Sequence, residues 1–159
     1  RAGAKVTIAA TAEGIIKGSR GIKIEPDTLL DSVMNVDFDL ICLPGGQPGT
    51  DNLKNDPRIL NLLAKMFEHE KLIAAICAAP IILKKANIIK NHYLTSHPSV
   101  QSEFSSKNYL FDRVVVDEKL ITSQSPGTAM EFALKLVEIL FDSNRLNKVN
   151  SGVLAKISY

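Results

Sequence analysis

The run Leu72-Ile73-Ala74-Ala75-Ile76 breaks off at Cys77 and passes straight into Ala78-Ala79-Pro80. An apolar stretch this short, set off by the charged pair Glu70-Lys71, reads as a buried strand rather than a helix. Pro80 suits the first turn of a helix, where its missing N–H costs nothing. The segment therefore spells strand, tight turn and helix, with a thiol at the turn. The small residues around Cys77 let the backbone bend sharply and let a substrate approach. The positive end of a helix dipole favours thiolate at such a place.

The same alternation runs along the chain and predicts an α/β fold with a largely parallel sheet. Val6-Thr7-Ile8-Ala9-Ala10 reads as a strand, and a turn with Gly14 and Gly18 leads to a short strand around Ile22-Lys23-Ile24. Leu40-Ile41-Cys42-Leu43 is a buried strand stopped by Pro44-Gly45-Gly46. Asp56 then caps a helix with Pro57 at its first position, and Ile59, Leu60, Leu62, Leu63, Met66 and Phe67 form its core stripe. A helix runs from Pro80 to about Ala86, followed by a short strand near Tyr93–Thr95. Val114–Val116 and Leu120–Thr122 flank Asp117-Glu118-Lys119 as a hairpin, which Ser125-Pro126-Gly127 breaks. Thr128 with Glu131 three residues on has the pattern of a capping box, and Phe132, Leu136, Val137, Ile139 and Leu140 are the buried side of the helix it opens. The tail after Asn144 is weakly helical. Arg1-Ala2-Gly3 has the look of a helix end with Gly3 as its left-handed stop, so the chain is expected to be N-terminally incomplete.

At 159 residues, with 45% apolar residues, a single domain (1–159) with a real core is expected. The net charge is +2, and no basic run interleaved with aromatics supports specific nucleic acid binding. No apolar stretch approaches the length of a membrane span. Cys42 and Cys77 lie in apolar, strand-like runs, which suits reduced thiols of a cytoplasmic protein rather than a disulfide framework.

In open α/β sheets ligands bind outside the carboxyl ends of the strands. Three such ends here carry breakers or the thiol: Pro44-Gly45-Gly46, Cys77-Ala78-Ala79 and Ser125-Pro126-Gly127. If the strands are neighbours, the turns meet around Cys77, and the backbone N–H groups of Gly46 and Ala78 face an oxyanion formed on a carbon attached to the sulfur. A side chain at the glycines would block that approach. A free cysteine is often simply buried, which fits Cys42 inside its strand; Cys77, at a strand end, has the position of a nucleophile. His97 follows a strand-like segment and reaches the same edge. His69 and His92 sit among charged residues and read as solvated. No His or Cys pair has metal-ligand spacing, and Gly45-Gly46 is followed by no Gly-Lys-Ser/Thr, so neither a metal nor a phosphate loop is expected.

These residues, taken together, resemble the ThiJ/PfpI superfamily, in the branch of the Parkinson-disease-associated protein deglycase. The resemblance rests on Arg1 through Thr7, Asp39 to Gly46, Ala74 to Pro80, His97-Pro98, and Leu120 through Phe132. It implies a flavodoxin-like three-layer sandwich, a homodimer, and a nucleophilic cysteine at the elbow, which falls on Cys77. The histidine of the matching Thr-x-His-Pro stretch falls on His97 as an auxiliary group, and the arginine after the hairpin serine falls on Arg20, near the pocket. Gly45, Gly46, Ala78, Ser125 and Pro126 complete the expected substrate-binding set. The family's first strand, and the glutamate hydrogen-bonded to its thiol, are expected upstream of Arg1; Glu13 lies in a different segment.

The activities implied are those of a cofactor-free glyoxalase or deglycase acting on methylglyoxal and related α-oxoaldehydes or their adducts. A thiol protein that senses oxidative stress, with chaperone-like action, is the alternative. Peptidase-like relatives place His directly after the nucleophile, where this chain has Ala78, and amidotransferases carry a His-x-Glu pair near the C-terminus that is not found after Ser125.

Overall fold

The computed structural model describes residues 1–155. Its centre is a four-stranded sheet in the order β5-β6-β8-β7, built from β5 (Leu40–Leu43), β6 (Leu72–Ile76), β8 (Leu120–Ser123) and β7 (Val114–Asp117). The first three run parallel; β7 joins β8 antiparallel through the expected hairpin. The register aligns Leu43 with Ala75 and Ile76 with Ser123, so the carboxyl ends of the parallel strands finish side by side. Two smaller ladders precede this sheet: β1 (Ala9–Ala10) runs parallel to β4 (Thr28–Leu29), and β2 (Ile16–Lys17) pairs antiparallel with β3 (Lys23–Ile24).

The pleat divides the core in two. Leu43, Ile73 and Ala75 face the larger cluster with Ile59, Leu62, Leu63 and Met66 of α2 (Pro57–Glu68) and Ile81, Ile82 and Leu83 of α3 (Pro80–Lys85). Ala74 and Ile121 face the other way, onto Phe132 of α4 (Ala129–Leu140). Leu63, Ile73, Ile82 and Leu83 are fully buried, each contributing about 1.5–3 kcal/mol of transfer free energy. α1 (Gly49–Asn55) leads into α2, and α5 (Ser143–Val153) packs on α4. The expected helical tail is α5; residues 156–159 lie outside the described residues.

Local chemistry explains the helix start at α2: the Asp56 carboxylate accepts the Arg58 N–H at 2.9 Å, with Pro57 next to the cap. Arg58 also binds Asp31 and the Thr11 carbonyl oxygen, at 2.6 and 2.9 Å, tying three segments together.

Several expectations are corrected. The first strand is Ala9–Ala10 alone, because its ladder with Thr28 and Leu29 starts there; Val6 and Ile8 are exposed, and the Ile8 N–H goes to the Asp27 carboxylate instead. Tyr93–Thr95 forms no strand, only a bridge between Leu94 and Tyr109. Phe67 is 41% exposed, its ring edge-on to His92. His92 is itself half-buried, 3.3 Å from the Asp117 carboxylate. Thr128 does not cap α4: its hydroxyl accepts the Ser125 N–H at 3.1 Å and closes the short turn Pro126–Thr128. Glu131 is held by Arg113 at 2.6 and 2.8 Å. In α4, Phe132 and Leu134 are buried, whereas Leu136, Val137, Ile139 and Leu140 are only half-buried.

Candidate active site

The turn after β6 is strained in a specific way. Cys77 has φ +66, the left-handed region that residues with a side chain rarely occupy and that persists only where neighbours hold it. Two hydrogen bonds do so. The Cys77 N–H donates to the Ser123 carbonyl at the end of β8, at 3.0 Å, and the Cys77 carbonyl accepts the His97 N–H at 2.8 Å. The thiol residue is thus turned out of the strand, half-buried, with α3 beginning at Pro80.

The loop after β5 presses against this elbow. A Cβ placed on Gly45 would stand 2.7 Å from Cys77 Cβ and from the Ile76 carbonyl oxygen, and 2.8 Å from the Ala78 nitrogen. Only glycine permits that approach. Gly46 follows with φ +96, and a Cβ there would meet the Ser19 hydroxyl at 3.5 Å. The turn of the β2–β3 hairpin, which carries Ser19 and Arg20, therefore lies over the glycine loop.

The fold brings Cys77, Ala78, Gly45 and the His97 backbone into contact, with Gly46 adjoining. Ala78 is buried, 6% exposed. Ser125 and Pro126 follow Ser123, the residue whose carbonyl holds the elbow; Ser125 is half-buried and Pro126 exposed. Arg20 is exposed and, among the described residues, makes no hydrogen bond or ion pair. The His97 side chain bonds Ser99: Nδ1 accepts the Ser99 N–H at 3.1 Å, and among the described residues no hydrogen bond joins the ring to the Cys77 sulfur. Sequence reasoning missed this cap, although Pro98 at the first position of a turn marks His97 as the cap residue. Ser19 carried no local signal beyond the resemblance.

Cys42 overturns its expected burial. It lies in β5 as read, but β5 is the edge of the four-stranded sheet and Cys42 is exposed along it. Cys42 nonetheless borders an apolar cavity of about 170 Å³ with Ala9, Leu30, Phe38 and Met66, and desolvation of its sulfur there pushes the thiol up to about 11 although the residue as a whole is exposed.

Fold and site together define an α/β protein with a cysteine elbow at the carboxyl edge of a parallel sheet. The DJ-1/PfpI family model matches residues 1–139. The chain is 41% identical over 157 residues to Drosophila melanogaster Protein dj-1beta, covering 97% of this chain and 84% of that one. The crystal structure of Drosophila melanogaster DJ-1beta superposes with a TM-score of 0.93 at 40% identity, over 99% of this chain and 86% of that one. Caenorhabditis elegans Glutathione-independent glyoxalase DJR-1.2 is 38% identical over 151 residues, 94% of this chain and 80% of its own. The oxidized Toxoplasma gondii DJ-1 structure gives a TM-score of 0.95 at 32% identity, over 98% and 86% of the two chains. Of Arabidopsis thaliana Protein DJ-1 homolog A, 38% identical, the match spans 40% of the length and 97% of this chain.

The chain belongs to the DJ-1/PfpI family. Its fold is accordingly the flavodoxin-like α/β arrangement expected from the sequence. Among the described residues, no helix is long and apolar enough to cross a membrane.

Proposed function

We propose that the chain is a cysteine-dependent, cofactor-free enzyme of the glyoxalase or deglycase type, acting on methylglyoxal and related α-oxoaldehydes or their adducts. The observation that supports this best is the Cys77 elbow at φ +66, with Gly45 packed directly against it. The Caenorhabditis elegans relative at 38% identity, a glutathione-independent glyoxalase by name, supports the same chemistry.

In this reading the Cys77 thiolate adds to the aldehyde carbon and forms a hemithioacetal, an addition that needs no cofactor because the aldehyde is already electrophilic. The N–H groups of Gly46 and Ala78 stabilise the oxyanion. A base takes the proton from the former aldehyde carbon, and a proton returns to the adjacent carbon, giving a thioester. Water cleaves the thioester, releasing the 2-hydroxy acid and the thiol, so methylglyoxal plus water becomes lactate. Among the described residues no side chain is hydrogen-bonded to the Cys77 sulfur, and none is assigned the part of the base. Ser125, Pro126 and Arg20 are proposed to border the substrate.

Methylglyoxal turnover by Cys77→Ser tests this: loss of lactate formation supports the reading, and full turnover refutes it. The half-buried free thiol also suits a sensor oxidised to sulfinate, and a structural relative is an oxidized DJ-1. Limiting peroxide that adds two oxygens to Cys77, with no aldehyde turnover, would favour that second reading. We further propose a homodimer. The β2–β3 hairpin exposes Ile15, Ile16, Ile22 and Ile24 at 60, 40, 68 and 48%, and light scattering measures the mass directly.

A further inference from the structure

The His97 imidazole has one nitrogen already committed. It caps the short turn Pro98–Glu103, with Nδ1 accepting the Ser99 N–H at 3.1 Å and standing 2.8 Å from Ser99 Oγ. A backbone N–H only donates, so Nδ1 presents its lone pair. The neutral ring therefore carries its hydrogen on Nε2, and the Ser99 hydroxyl donates to Nδ1. Protonating Nδ1 would set one N–H against another and break the cap. To accept a proton at Nε2 the ring must first carry its hydrogen on Nδ1, which breaks the cap; to release the Nε2 hydrogen it must become an imidazolate, which a neutral imidazole does not reach in water.

The backbone of the same residue acts elsewhere. Its N–H holds the Cys77 carbonyl at 2.8 Å, one of the two bonds that keep the thiol residue at φ +66. Behind it, Ser96 is fully buried and its carbonyl accepts the Tyr109 hydroxyl at 3.0 Å. The segment is anchored before His97 by Tyr109 and after it by the cap.

We infer that His97 is a positioning residue for Cys77 rather than a proton carrier: its imidazole, as the neutral Nε2–H tautomer, caps the 98–103 turn and so holds its own N–H on the Cys77 carbonyl. The inference rests on the reading of Cys77 as the reactive thiol, but its test does not depend on turnover.

The experiment compares His97→Asn, His97→Gln and His97→Ala in the whole chain. Asparagine carries a short-range acceptor that caps well; glutamine places an amide N–H farther out, near Nε2, and caps poorly. The readout is the hydrogen-exchange protection factor of the residue-97 amide, with methylglyoxal kinetics alongside. The Ala and Gln variants are expected to lose roughly fivefold in protection, the factor that one lost cap carries, and Asn to keep the native value. Where turnover exists, kcat follows the same order at unchanged KM. Nitrogen-15 spectra of the wild-type protein are expected to show the neutral ring with Nε2 protonated and Nδ1 bare. Equal protection in all three variants, rescue by Gln but not Asn, or a ring carrying its proton on Nδ1 would overturn the assignment. If Cys77→Ser retains turnover, the proposed function fails while the exchange series still decides this point.

Discussion

Replacing Gly45 by alanine puts one methyl group where the β5 loop and the Cys77 elbow touch. That carbon would stand 2.7 Å from Cys77 Cβ and from the Ile76 carbonyl oxygen, and 2.8 Å from the Ala78 nitrogen. None of these atoms sits at the end of a flexible side chain, so the two backbones must part until 2.7 Å becomes the 3.4 Å of ordinary contact. Gly45 is not in the left-handed region, so the cost is steric. Overpacking of this kind costs about 1–3 kcal/mol, and for a chain of 159 residues each kcal/mol lowers Tm by about 2–4 °C. A fall of about 2–12 °C is expected by calorimetry. A displacement approaching 1 Å at the reacting thiol lowers methylglyoxal kcat about 100-fold. Gly49→Ala is the control, since a Cβ there meets nothing within 4 Å; its Tm is expected within about 2 °C of wild type. A Gly45→Ala protein with wild-type Tm and full turnover would refute the close approach on which the site is built.

Arg58→Ala removes the guanidinium that bonds Asp31, Asp56 and the Thr11 carbonyl; because the side chain is one-third exposed and its ion pairs are screened by solvent, a small fall in the urea midpoint is expected, and no change would show the clamp to be decorative. Hydrogen bonding to Arg58 and Arg113 respectively holds the Asp56 and Glu131 carboxyls below their ordinary values. A depressed folded-state value gives stability that is fully present above the unfolded value, near pH 4, and is lost as pH falls through the folded one. Denaturation midpoints are therefore expected to fall below about pH 4, and an Asp56→Asn, Glu131→Gln double variant to lose part of that dependence. Iodoacetamide labelling of Cys42, followed by peptide mass, is expected to accelerate about tenfold per pH unit from pH 7 to 10, since desolvation of its sulfur pushes this thiol up to about 11; a plateau near pH 8 would contradict that desolvation.

Where a single local signal was strong, the sequence was readable. Pro44-Gly45-Gly46 ends β5, Asp56-Pro57 opens α2, Cys77-Ala78-Ala79-Pro80 turns from β6 into α3, and the 114–123 hairpin lies where it was expected. Breakers, caps and apolar runs act over a few residues, and no tertiary partner overrode them. Errors arose where a distant residue made a better offer. Glu131 had a capping-box spacing, yet Arg113, 18 residues away, binds it. Phe67 fits the helical stripe but meets solvent and His92. Val6–Ile8 has strand composition, but a strand needs a paired neighbour, and pairing begins at Ala9.

The order of apolar runs and breakers determined by itself that a thiol would stand at one strand-to-helix turn and a glycine loop at the end of another strand, because strand, turn and helix preferences are short-range. Which strand became an edge, which glycine touched the cysteine and which nitrogen of His97 was taken up by the cap were decided only by the folded arrangement. Such facts depend on sheet order and on hydrogen bonds between segments far apart in the chain. Cys42 and Cys77 make the contrast plain: similar apolar runs hold both, yet strand order sets one along an open edge, and two long-range backbone bonds hold the other at its elbow.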